Sequence, residues 1–299
     1  MINLPTIKQL RYLCALADKR HFRRAAEACF VSQSALSTAI QELEHTLGVT
    51  LFERGKQVLP TAIGEQLILK AREILRATEN LVESAKTAQG EFNSDLRFGV
   101  IPTIAPFLLP KILQPMQRLY GSKKLYIRED LSPNLLNLLQ QGELDVLLFA
   151  LPYDIEGFNS MSLFDDKLVL CLPNDHELNE KEIISIQDLK SQDILLLEDG
   201  HCLRDQSLKA CNLRPTDINI PYQATSLNTL IQMVVSNVGV TLLPQMAVGA
   251  NITHDTNAAI REITTQRQLS RNIALVWRQS SPRGEEFTKL GELIKAVYI

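Results

Sequence analysis

No run of apolar residues in the 299-residue chain approaches the roughly 20 that a membrane-spanning helix requires. No secretory leader is visible either, so a membrane role is set aside and a cytoplasmic location is expected. Cysteine is scarce: five residues, at 14, 29, 171, 202 and 211, with no Cys-x-x-Cys pair. An odd, scattered set excludes a disulfide framework and reads as thiols normally kept reduced. His201, Cys202 and Cys211 lack zinc-type spacing, which argues against a metal sensor, and no cofactor is expected. Aromatic residues are few, yet 45% hydrophobic content over this length is enough to bury more than one core, so two or three folded units are expected.

A net charge of -3 gives no general affinity for polyanions, which makes its distribution the informative quantity. Residues 1–90 carry 12 Lys and Arg against 9 Asp and Glu, and the remainder carries 19 against 25. The basic end is therefore the candidate nucleic-acid end. Apolar residues at helical spacing predict helices over residues 7–17 and 22–29, with small Ala25 and Ala26 permitting close packing. A third helix follows Val31, where Leu36, Ile40, Leu43 and Leu47 share one face and Gly48 supplies the stop. Its opposite face shows Ser32, Gln33, Ser34, Ser37, Thr38 and Gln41, side chains able to reach base edges. Residues 51–54 and 57–60 flank Gly55-Lys56 as a small hairpin, a wing whose Arg54 and Lys56, with Arg23 and Arg24, would meet phosphates.

These residues resemble the LysR-type transcriptional regulators through Phe22-Arg23-Arg24-Ala25-Ala26, Val31-Ser32-Gln33-Ser34-Ala35-Leu36-Ser37, Leu43-Glu44, Leu47-Gly48, Leu51-Phe52-Glu53-Arg54 and Thr61-Ala62-Ile63-Gly64. The resemblance implies that Ser34, Ser37 and Gln41 face the groove of double-stranded operator DNA, with Arg54 and Thr61 near its backbone. After Pro60, residues 61–89 form one helix-compatible stretch. Its columns Leu67, Ile74, Leu81 and Ile68, Leu75, Val82 repeat every seven residues, as a helix packing on a second copy requires. The resemblance implies dimerisation here, a tetramer, a role as activator and contact with RNA polymerase.

Beyond Gly90, strands at 96–101, 125–129 and 144–150 alternate with helices at 107–120 and 133–140, which predicts a parallel sheet covered on both faces. Further strands are expected at 168–172, 194–197, 218–223, 239–243, 261–263 and 272–277. The fold class is α/β multidomain: a winged helix-turn-helix (1–60), a linker helix (61–90) and a regulatory domain (91–299). By resemblance the last is a periplasmic-binding-protein-like pair of lobes, lobe I at 91–165 and 268–299, lobe II at 166–267.

The segment from Leu197 to Gln206, reading LLEDGHCLRDQ from Leu196, and Cys211 beyond it resemble the peroxide-sensing members of the same family. A sensing cysteine needs a thiolate near neutral pH. Cys202 opens a predicted helix over 202–211, whose amino end favours an anion, with His201 and Arg204 adjacent in sequence. The resemblance implies hydrogen peroxide as the signal, Cys202 as the attacked thiol, Cys211 as the resolving one and cellular thiols as reductants. It implies further that Arg271 lies near the site and that Thr103 and Ser132 hold the peroxide, although the family usually has threonine where Ser132 stands. Thr103 and Ser132 read equally well as helix caps. Cys14 and Cys171 lie in apolar runs and read as core, and Cys29 packs under the turn. Two other readings stand beside this one: a metabolite bound between the lobes, and a thiol peroxidase using Cys202 and Cys211. A regulator rather than an enzyme is expected.

Overall fold

The computed structural model describes residues 4–53, 58–87, 90–210, 223–265 and 268–298. The chain divides into two compact units, Met1–Ala85 and Lys86–Ile299.

In the first unit, α1 (Ile7–Lys19) starts at a reciprocal cap in which the Thr6 hydroxyl accepts from the Gln9 N–H and the Gln9 side chain accepts from the Thr6 N–H. α2 (Phe22–Ala28) and α3 (Gln33–Leu47) follow, and Gly48 closes α3 at φ +69, the left-handed conformation that glycine adopts without strain. Leu13, Leu16, Ala25, Leu36, Leu43 and Leu51 are fully buried together, so the three helices converge on one small core. Of the expected hairpin, the bridge between Phe52 and Pro60 and the bond from the Glu53 N–H to the Leu59 carbonyl are present. Its tip, with Arg54 and Lys56, lies outside the described residues.

The long helix α4 (Ala62–Thr87) begins at Thr61, whose hydroxyl donates to the Thr50 carbonyl at 2.8 Å and accepts from the Gly64 N–H at 3.0 Å. The seven-residue columns split along it. Ile68 is buried, and Leu67 and Leu75 are partly buried, on the unit's own core, whereas Ile74, Leu81 and Val82 are exposed, Leu81 by 71%. The first turns of the stripe are thus satisfied within the chain, and only the later ones need another partner.

The second unit builds β1 (Leu96–Val100), α5 (Ala105–Tyr120), β2 (Leu125–Glu129), α6 (Ser132–Gln141) and β3 (Val146–Leu151). The long β4 (Phe158–Pro173) follows, then α7 (Ile186–Leu189), β5 (Leu196–Leu197), α8 (Cys202–Ala210), β6 (Gln223–Ala224) and α9 (Leu227–Val235). β7 (Thr241–Pro244), α10 (Gln245–Gly249), β8 (Ala258–Arg261), β9 (Ser270–Arg278) and α11 (Gly284–Tyr298) complete it.

The parallel pairing expected of the first three strands is present, and the strands beyond them in the sheet pair antiparallel. β1 pairs parallel with β2 and β3, but β9 is antiparallel to both β3 and β4, and β4 is antiparallel to β7 and β8. The reason is topological: β4 carries the chain away from the first core and β9 brings it back, so the two strands run in opposite directions side by side. The amino-terminal part of β4 lies against β9, from Phe158 opposite Arg278 to Lys167 opposite Ser270, and its carboxy-terminal part lies against β7 and β8. Two apolar cores result, one around Phe98, Leu108, Phe149 and Phe287, the other around Leu170, Leu195, Val234 and Leu243.

α4 passes close over the end of the segment before it. A Cβ at Gly64 would lie 2.1 Å from the Leu51 carbonyl oxygen, and backbone cannot yield as a side-chain tip would. Gly64→Ala is expected to destabilise the first unit by about 1–3 kcal/mol, the usual cost of forcing extra volume into a packed site; urea unfolding followed by circular dichroism measures it.

Candidate functional site

Gly200 shapes the approach to the cysteine. It sits at φ +96, and a Cβ there would press on Leu131 at 3.2 Å, so only glycine brings this loop so close to the start of α6. Its carbonyl accepts from the Ser132 N–H at 3.3 Å, joining the loop to α6. Cys202 then opens α8 with 2% of its surface exposed. Burial pushes the thiol up from its ordinary value, while the charge of Arg271, the Ser132 hydroxyl and the N–H groups of Leu203 and Cys202 pull the other way. The helix terminus thus acts in the expected sense, although burial outweighs it in this state. Burial pushes Cys14 up to about 11 in spite of the opposing pull of Arg72, and Cys171, on which burial acts alone, up to about 12. Cys29 is partly buried on the amino-terminal core.

Arg271 is wholly buried and faces Asp166 across the β4–β9 pairing. Its Nε donates to Asp166 Oδ2 at 3.0 Å, Nη1 to the Thr103 hydroxyl at 2.7 Å and Nη2 to the Thr103 carbonyl at 2.9 Å. The other Asp166 oxygen accepts from the Met246 N–H at 2.9 Å. Burial holds the Asp166 carboxyl above its ordinary range, against the opposing pull of Arg271. Thr103 is therefore a partner of Arg271 and not a helix cap: Ile104 occupies the cap position of α5. Because Thr103 Oγ1 accepts from Arg271, its own proton is available to another acceptor.

Ser132 is likewise not a cap, since α6 is preceded by Leu131. Its hydroxyl oxygen is buried with no hydrogen-bond partner among the described residues other than the Cys202 thiol, and His201 Nδ1 and Gln206 Oε1 are buried with none. Gln206 stands one turn along α8 from Cys202 and donates from Nε2 to the Ala150 carbonyl at 3.2 Å. Buried polar atoms left without partners are costly for a closed protein and suited to a small molecule rich in hydrogen bonds. Thr103 and His201 also line a cleft of about 300 Å³ with Glu129, Asp130 and Ser226.

Neither Arg204 nor His201 is among the groups that shift the Cys202 thiol. Arg204 pairs with Asp199 at 3.0 Å and donates to the Leu197 carbonyl at 3.3 Å, which holds the loop in place. Burial lowers the pKa of His201, leaving the imidazole neutral near neutral pH. Cys211 lies outside the described residues. Asp166 and Gln206 were not singled out from sequence: the first stands 105 positions from Arg271 and meets it only through strand register.

On the first unit, Gln33, Ser34, Thr38 and Gln41 are exposed and Ser37 is half-buried, so α3 presents one polar face. Ser32 is exposed beside it, and its hydroxyl caps α3 by accepting from the Ala35 N–H at 3.2 Å. Thr61 is similarly occupied as the α4 cap. Arg23 is exposed and holds only a surface pair with Glu27.

Residues 7–65 match the family profile of the bacterial regulatory helix-turn-helix proteins of the lysR family, and residues 89–298 match the LysR substrate binding domain. The chain belongs to the LysR family of transcription regulators. It is 39% identical to the DNA-binding transcriptional dual regulator OxyR of Escherichia coli over 97% of this chain and 95% of that protein. Its structure resembles a cysteine-to-aspartate variant of full-length OxyR from Pseudomonas aeruginosa, with a TM-score of 0.79 and 34% identity over 98% and 95% of the two chains. It also resembles a cysteine-to-serine variant of Corynebacterium glutamicum OxyR bound to H2O2, with a TM-score of 0.67 and 34% identity over 100% and 94%. Among the described residues no helix is long and apolar enough to cross a membrane.

Arg271→Met would leave Asp166 buried without its counter-charge and remove the cation that favours the Cys202 thiolate. A loss of about 3–5 kcal/mol in stability is expected. In the folded variant, alkylation of Cys202 should need higher pH than in the unaltered protein, a shift that mass spectrometry of iodoacetamide-treated samples across pH would measure.

Proposed function

We propose that this chain is a DNA-binding regulator that senses hydrogen peroxide by oxidation of Cys202. The observation that carries the reading is the buried thiol at the start of α8, favoured as a thiolate by the Arg271 charge and the Ser132 hydroxyl, with polar atoms on His201 and Gln206 of the same segment that have no partner among the described residues. The likeness to OxyR proteins, one of them bound to H2O2, supports it.

In this reading peroxide lies against Cys202, accepting from the Thr103 and Ser132 hydroxyls. The thiolate attacks one oxygen, the O–O bond breaks, and the departing hydroxide takes a proton to leave as water. Cys202 becomes a sulfenic acid. The Cys211 thiolate then attacks that sulfur, a second water leaves, and a disulfide forms. α8 must unfold for this to happen. Ala210 lies about 12 Å along the helix from Cys202, and the next Cα can be only about 3.8 Å away. Cys211 therefore cannot come within the roughly 7 Å a disulfide allows while α8 is intact. The covalent bond thereby selects a second packing of α8, which is the switch.

The same reading assigns residues 1–60 to operator binding, 61–90 to dimerisation and 91–299 to regulation. Lobe I is 91–165 with 268–299 and lobe II 166–267, a division that the two apolar cores support. Gln33, Ser34, Ser37 and Gln41 read base edges, with Arg23 and Arg54 on phosphates. The protein works in the cytoplasm as a tetrameric activator that engages RNA polymerase and is reset by cellular thiols. Peroxide is consumed once per switching event and not turned over as by an enzyme.

Cys202→Ser should abolish the reaction with peroxide. Cys211→Ser should stop at a sulfenic acid that a dimedone probe traps, where the unaltered protein reaches a Cys202–Cys211 disulfide detectable by intact-mass and peptide mapping. Unpaired cysteines after mild oxidation of the unaltered chain would sink the switch and leave a metabolite as the signal. For the long helix, Ile74→Glu combined with Leu81→Glu should lower the mass seen in sedimentation and weaken operator binding with it; an unchanged mass would remove α4 from the assembly.

A further inference from the structure

α2 ends in a turn that ordinarily calls for glycine. The Phe30 N–H donates to the Glu27 carbonyl at 3.1 Å and the Val31 N–H to the Ala26 carbonyl at 3.0 Å, the pair of bonds that closes a helix through a left-handed residue. That residue is Phe30, at φ +56, where a Cβ is crowded and a bulky side chain is rarely found. Nothing among the described residues covers the ring in compensation. The ring is 94% exposed, whereas Cys29 and Val31 on either side are partly buried on the core. Phe30 is thus unfavourable twice over, in its backbone and in its hydrated ring. It stands two residues before Ser32, the cap of α3, and so adjoins the helix that carries Gln33, Ser34, Ser37 and Gln41.

We infer that Phe30 is an apolar DNA contact, its ring resting on a thymine methyl or the neighbouring deoxyribose of the duplex that α3 reads. Those are the apolar surfaces a duplex offers beside a reading helix, and an uncharged ring has no use for phosphate. The inference rests on the reading of α3 as the DNA-reading helix.

The test uses the full chain and a duplex selected by it from a randomised pool. Phe30→Gly removes the ring and supplies the residue the turn prefers, so its melting temperature should equal or exceed that of the unaltered protein. Affinity should nevertheless fall roughly tenfold, the scale of one buried apolar side chain. The salt dependence should keep its slope, because no phosphate contact is lost. Phe30→Ala, which keeps the strained backbone, should lose affinity equally. Replacing thymine with deoxyuridine distinguishes the two surfaces: a loss confined to the protein with Phe30 marks the methyl, and no effect marks the sugar. The inference is overturned if Phe30→Gly binds as tightly as before, if its salt slope falls, or if sedimentation shows altered self-association, which would place the ring against a second copy. Ser34→Ala and Gln41→Ala serve as the control on α3 itself. If they leave sequence preference unchanged the reading of α3 fails; if they change it while Phe30 variants do not weaken binding, only the role of Phe30 fails.

Discussion

The Arg271–Asp166 pair is the constraint around which the regulatory unit is organised. Withdrawing two charges from water costs more than their attraction returns unless the remaining hydrogen-bonding positions are filled. Here the loop before α5 supplies the Thr103 hydroxyl and carbonyl, β4 supplies Asp166, and the start of α10 supplies the Met246 N–H. One guanidinium therefore ties several elements together. The same cation is the principal charge acting to favour a thiolate at Cys202. Asp166 competes for it, so the reactivity of the sulfur depends on how one positive charge is shared between a carboxylate and a thiol.

That dependence explains why the thiol environment is polar yet incomplete. His201 and Gln206 each keep a buried atom without a partner among the described residues, and Ser132 has none beyond the thiol, a cost that apolar side chains would have removed. A neutral His201 can still donate or accept according to its tautomer, and Gln206 and Ser132 offer acceptors. Arg204, in contrast, stabilises the loop through Asp199 and the Leu197 carbonyl, a role that leaves the charge near the sulfur to Arg271 alone among the residues first considered.

Local signals were legible where the physics is local. Period and capping placed α1, α2, α3 and α6 closely, and the glycine after α3 marked its end. β2 fell where alternation placed it. The long β4 was seen only in its carboxy-terminal part, because residues 158–167 pair with β9 across about a hundred positions and carry mixed polarity that no short window reads as a strand. Its direction was equally invisible, since alternating helices and strands resemble parallel crossovers until the return strand is found. The site divides in the same way. Cys202 and its loop were legible as a motif, whereas Asp166 became part of the site only through register, and the engagement of Arg204, Ser32 and Thr61 elsewhere depended on side-chain geometry.

β4 has one more consequence. It runs for 16 residues from one apolar core into the other, with a shift in its pairing to β9 between Ser162 and Phe164. Two bodies joined by a loop can rotate freely about it, but two bodies sharing a hydrogen-bonded ribbon can move only as far as that ribbon bends and twists. If Cys202 switches as proposed, a movement of one core against the other would be taken up as torsion in β4 and β9, the strands that carry Asp166 and Arg271. A chemical event at the sulfur and a mechanical one in the ribbon would thus share the same buried ions, which makes the ribbon the spring against which the sensor works.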